Sequence, residues 1–131
     1  MRNFLLTSLA LAGTLARGQE TKLISSIQGP ALYKAYCSAC HGKDAKGGGP
    51  KAASLKVPPP DLTHIATRNG GTFPLMRIEG IISGEALTGG AHGSRDMPVW
   101  GPVFSQVTAD QDLGRVRIDN LARYLREIQT K

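Results

Sequence analysis

The stretch YCSACHGKDAKGGGP, Tyr36 to Pro50, constrains this chain more than any other, because it holds both cysteines, Cys37 and Cys40, with His41 directly after the second. Two thiols three positions apart beside an imidazole suit a disulfide, a zinc site, a redox-active pair or two covalent links to a haem. A bridge between positions i and i+3 closes a tiny loop and restrains little of the unfolded chain. Zinc wants four ligands, commonly from two clusters, and the rest of the chain offers just His64 and His92 as further histidines. A thioredoxin-like pair belongs in a βαβ unit, and no alternating strand pattern accompanies these cysteines. Cys37-Ser-Ala-Cys40-His41 does match the attachment signature of c-type haem. On a helix the two thiols share a face, so both can form thioethers to one porphyrin, and His41 is carried over its plane, where a ring nitrogen can bind iron.

The N-terminal residues are set apart from the fold. Residues 1–19, MRNFLLTSLALAGTLARGQ, begin with a positive charge at Arg2, continue through an apolar stretch from Phe4 to Ala16 and end in small residues. Ala16 and Gly18 suit a signal-peptidase cut after Gly18, and the apolar stretch is shorter than the roughly 20 residues that a membrane-spanning helix needs. Residues 1–18 therefore read as a signal peptide, with an uncleaved anchor as the other reading, and residues 19–131 as one domain of the bacterial periplasm. No stable membrane span is expected. The formal charge is +6, without Lys/Arg runs or interleaved aromatics. That pattern argues against nucleic acid and suits an acidic protein surface. With 5% aromatic residues and 16 glycines, the domain can assemble a modest core, which a large apolar cofactor would help to fill.

Gly29 and Pro30 open a segment with Leu32, Tyr33 and Tyr36 at helical spacing, ended by Gly42. A lysine- and glycine-rich loop follows, then three prolines, Pro58 to Pro60, which impose an extended path. Asp61 caps a short helix through about Thr67. Thr72 is expected to cap the next, with Pro74 in its first turn, Leu75, Ile78, Ile81 and Ile82 along its apolar side and Gly84 as its stop. Residues 89–102 read as loop. Thr108 opens the last helix, with Leu113, Val116, Leu121, Tyr124, Leu125 and Ile128 on one face and Gly114 as a weak point. The chain is expected to be all-α, three to five helices with long loops, and long loops in a small domain usually wrap around something.

Iron bound by His41 has a second axial position to fill or to leave open. Met97 is followed by Pro98, which stiffens the backbone around its thioether, and it stands in a loop that can cover the far side of the ring. His92, five residues earlier in the same loop, is its rival. Met76 reads as core filler in an apolar helix, and His64 as a surface histidine.

Taken with these motifs, residues 29–128 resemble the class I cytochromes c, as a short bacterial member. Gly29 and Tyr33 stand eight and four residues before Cys37, as the family's first helix carries a glycine and an aromatic residue. LARYL, with Leu121 and Tyr124, is similar to the apolar and aromatic pair by which the family's last helix crosses the first. GGGP resembles the family's Gly-Pro, which implies that the Pro50 carbonyl accepts the other N–H of His41. DMPVWG resembles its Met-Pro ligand loop, which implies Met97 as the second axial ligand. Trp100 is either a propionate partner or a packing residue. The segments around VPPPDLT and before Met97 follow no mitochondrial pattern.

The resemblance implies a cytochrome c fold around one covalent haem c. It implies a monomeric electron carrier between periplasmic redox partners, not an enzyme. The alternatives are a dedicated subunit of a dehydrogenase or terminal oxidase complex, and an open-iron haem enzyme or sensor.

Overall fold

The structure of the chain, a computed structural model, describes residues 23–85, 96–106 and 111–131. Residues 1–18, read above as a signal peptide, and His92 and Thr108 lie outside the described residues. Among the described residues every regular element is helical, in agreement with the all-α expectation.

Pro30 sits in the first turn of α1 (Gly29–Leu32), where its missing N–H has no intrahelical partner to lose. The chain runs directly through a π-helical turn, Tyr33–Cys37, into α2 (Ser38–His41). The loop beyond Gly42 folds back on this helix end. The N–H groups of Gly47, Gly49 and Lys51 donate to the carbonyls of His41, Cys40 and Ala39 at 2.8, 3.1 and 2.8 Å, supplying partners that a helix end otherwise lacks.

Asp61 caps as expected. Its Oδ1 accepts the Thr63 N–H at 2.8 Å and the Thr63 hydroxyl at 2.6 Å, starting a 3-10 turn, Leu62–His64, that continues into α3 (Ile65–Arg68). Thr72 does not cap the next helix. α4 (Leu75–Ser83) starts after Pro74, which takes the cap position with no side-chain hydrogen bond. The residue before a proline is steered away from helical backbone, so Phe73 cannot begin the helix that Thr72 would have capped. Gly84 ends α4 in the left-handed region at φ 90°.

The region expected as loop to Pro102 contains α5 (Trp100–Ser105), with Pro102 in its first turn. α6 (Gln111–Glu127) packs against α1, α4 and α5. Leu121, Ala122 and Leu125 are buried in a core with Leu32, Tyr33, Ile78, Ile82 and Phe104. The α6 face differs from the expectation in two places. Val116 is exposed, while Arg117 is buried at 1% exposure. Gly114 is also a point of close approach, since a Cβ there would stand 2.9 Å from Ser105 Oγ.

Arg117 fastens the segment before α1. Its Nε and Nη2 donate to the carbonyls of Ser26 and Ser25, both at 3.3 Å, while Nη1 is buried with no partner. Asn120 Nδ2 donates to the Ile27 carbonyl at 2.8 Å. At the other end, the tail beyond α6 is joined to the Leu62–Arg68 region. Gln129 Nε2 donates to the Leu62 carbonyl, its Oε1 accepts the Ala66 N–H, and the Thr130 N–H donates to the Thr63 carbonyl.

Candidate functional site

A cavity of about 440 Å³ opens between the first helical run, the proline loop, α4 and the segment leading into α5. Tyr33, Cys37, Cys40 and His41 form one wall. Steps of four and three residues keep Tyr33, Cys37 and Cys40 on a single helix face. Tyr36 points elsewhere and meets Trp100 and Phe104, with ring centroids 5.2 and 5.3 Å away. Pro58, Pro59 and Pro60 form a second wall, and Ile65, Ile78, Ile81 and Ile82 add an apolar lining. Met97 and Trp100 complete the surround. The Trp100 ring stacks on Phe104 at 5.7 Å and 21°, so the aromatic cluster fixes the start of α5 beside the cavity.

Both cysteines are unbridged and half-buried. Burial, with Cys40 adding to it, pushes the Cys37 thiol up to about 12, so it keeps its proton at neutral pH. Burial also lowers the His41 pKa, opposed by the Pro60 backbone carbonyl facing the ring. The imidazole is therefore biased towards the neutral form, which is the one that binds metal. His41 Nδ1 is buried and forms no hydrogen bond. A buried polar atom in that condition costs on the order of 1–3 kcal/mol.

Pro50, expected beside His41, stands apart from the cavity. Pro50 is exposed and forms no part of the cavity wall. The carbonyl that acts on His41 is that of Pro60. The GGGP loop instead spends its N–H groups on the open carbonyls of the helix end, which turns Pro50 outward.

The structure thus brings Cys37, Cys40, His41, Met97 and Trp100 to one cavity. His64 is exposed and absent from the wall. Met76, expected as core filler, is 84% exposed because it lies on the α4 face opposite Ile78 and Ile82. His92 is outside the described residues.

Sequence reasoning missed Arg68, Asn69 and Arg77, which give this largely apolar cavity a polar margin. Arg68 Nη2 donates to the Asp61 carbonyl at 2.6 Å. Two guanidinium groups beside an apolar space suit a ligand that is apolar in its body and anionic at one edge. Two thiols on one helix face, a neutral imidazole with an orphaned ring nitrogen, a thioether and this margin fit a haem.

The family model described as "Cytochrome C oxidase, cbb3-type, subunit III" matches residues 27–125, most of the chain and all of the cavity wall. No curated protein and no solved structure matched the chain.

Proposed function

The chain belongs to the c-type cytochromes, in the family of cbb3-type cytochrome c oxidase subunit III, and from that premise we propose that it passes single electrons between redox proteins through one covalently attached haem c. When bound, the haem supplies a one-electron ferric/ferrous couple. Cys37 and Cys40 would hold it by thioether links, and His41 and Met97 would bind its iron. A thioether from Met97, in place of a second imidazole, favours the ferrous state and raises the potential. Arg68 and Arg77 would neutralise the propionates, and Trp100, held by Phe104 and Tyr36, would serve as cofactor wall.

The observation that carries this reading is the convergence of Cys37, Cys40, His41 and Met97 on one largely apolar cavity. With His41 and Met97 both bound to the iron, substrate would have no access to the metal, and electron exchange would be what remains. The decisive experiment uses the haem-loaded protein. Met97→Ala should abolish the iron–sulfur absorption band at the red end of the ferric spectrum, and an unchanged band removes Met97 from the ligand set. Carbon monoxide binding by the parent protein at neutral pH would favour an open-iron enzyme or sensor instead.

The leader-like residues 1–18 support export to the periplasm, where a mildly basic monomer would meet an acidic docking surface. Among the described residues no helix is long and apolar enough to cross a membrane. A second reading makes the chain a dedicated subunit delivering electrons within a terminal oxidase, and the family description favours it. Native gels of solubilised host membranes separate the two: a subunit migrates with the oxidase, and a carrier does not.

A further inference from the structure

Met97 is held from two directions. Downstream, Val99 packs against Gly84 at the end of α4, where the left-handed backbone at φ 90° and the absence of a Cβ admit the valine methyls. Upstream, Asp96 reaches across to the proline loop, and its Oδ2 accepts the Lys56 backbone N–H at 3.2 Å, forty residues away in sequence. Each end of that bond adjoins the cavity. Lys56 precedes Val57 and the three prolines on one wall, and Asp96 precedes Met97 on another. Met97 is itself 36% exposed, so surrounding packing restrains it less than a core residue.

We propose that Asp96 is a positioning residue for Met97: by accepting the Lys56 N–H it ties the backbone of the methionine to the wall carrying Pro60 and keeps the thioether in the cavity. The inference rests on the reading of Met97 as an iron ligand. The bond is a clasp between two segments that are otherwise joined through α4 and the proline loop. Its loss leaves the fold intact and lets the methionine leave the metal more often.

The test measures how readily added imidazole displaces Met97 from ferric iron in the haem-loaded protein, together with hydrogen exchange at the Lys56 amide. Removing the carboxylate, whose interactions include the Lys56 hydrogen bond, predicts that Asp96→Ala raises imidazole affinity by at least about threefold and weakens the red iron–sulfur band. Exchange at Lys56 should quicken by a similar factor. Asp96→Asn, whose amide oxygen still accepts, should keep parental values for all three readings. An alanine variant with parental imidazole affinity overturns the proposal, as does an asparagine variant that behaves like alanine.

Should Asp96→Ala fail to acquire haem, Lys56→Pro deletes the donor instead and must give the same gain. Leu55 already has the extended backbone, φ −88° and ψ 145°, that a following proline requires. Parental affinity in that variant is equally fatal. Retention of the red band in Met97→Ala would instead defeat the ligand reading itself, a failure distinct from a silent Asp96→Ala beside a responsive Met97→Ala.

Discussion

Tyr33 and Tyr124 meet where the first and last helices cross, with ring centroids 5.5 Å apart and planes inclined by 53°. The contact depends on Gly29, one turn before Tyr33, because a Cβ there would stand 2.6 Å from Tyr124 Cβ. Gly29→Ala should therefore push the helices apart and destabilise the protein by about 1–3 kcal/mol, the usual cost of overpacking a tight contact. Urea denaturation of the haem-loaded variant measures it. A change within error of zero would mean that the crossing adjusts freely.

Arg117 offers a test of what a buried cation contributes. Arg117→Ala strands the Ser25 and Ser26 carbonyls and leaves a void, so a loss of about 2–4 kcal/mol is expected. Arg117→Met should cost less, because it refills the volume and removes the unpartnered Nη1. Equal losses in the two variants would show that the carbonyl bonds outweigh the packing. Both should expose the segment before Gly29 to faster proteolysis.

Asp61 makes stability depend on pH in the acid range. The Thr63 hydroxyl, first among several hydrogen bonds that include His64, holds its carboxyl below the usual carboxylate value. The unfolded chain then takes up protons at higher pH than the native one, so stability is present above about pH 3.9 and is lost as pH falls through the depressed native value. Denaturation midpoints followed downward from pH 6 should show this decline, and Asp61→Asn should flatten it.

Glu79 acts with the opposite sign. Burial first, then the neighbouring Asp119 carboxylate, raises its pKa. The native state binds the proton more tightly there, so stability falls as pH rises from the ordinary carboxylate range through the raised value. Glu79→Gln removes that penalty. The site is half-buried and open to water on one side, and solvent screening limits the expected gain at neutral pH to no more than about 0.5 kcal/mol. A loss in its place would identify an attractive contact, with Arg123 the nearest cation in the cluster.

Covalent attachment is tested separately. Replacing Cys37 or Cys40 alone by serine should leave one thioether and a haem-stained band on a denaturing gel. The double replacement should give an unstained polypeptide. A stained double variant would break the link between these thiols and the cofactor.

Much of the frame was legible because local chemistry decided it. Pro30 and Asp61 act through their own backbone neighbours, and the steps from Tyr33 to Cys37 to Cys40 follow from helix geometry. The failures lie where distant segments compete. The distance of Pro50 from the cavity depends on how the loop after Gly42 folds back on the helix end, which spacing within the motif cannot reveal. Val116 and Arg117 exchange their expected places because two carbonyls of the segment before α1 claim the guanidinium. Arg68 and Arg77 are unremarkable surface charges in sequence and become site residues when the ends of α3 and α4 reach one cavity. Trp100 and Pro102 looked like loop because a short helix opened by an aromatic residue leaves little periodicity to read.

The bonds from Gln129 and Thr130 to Leu62, Thr63 and Ala66 place the carboxyl end in mechanical series with the proline wall. A purification handle or electrode linker joined at Lys131 would therefore sit beside the turn that leads out of the proline wall, and loosening those bonds would free the start of that turn.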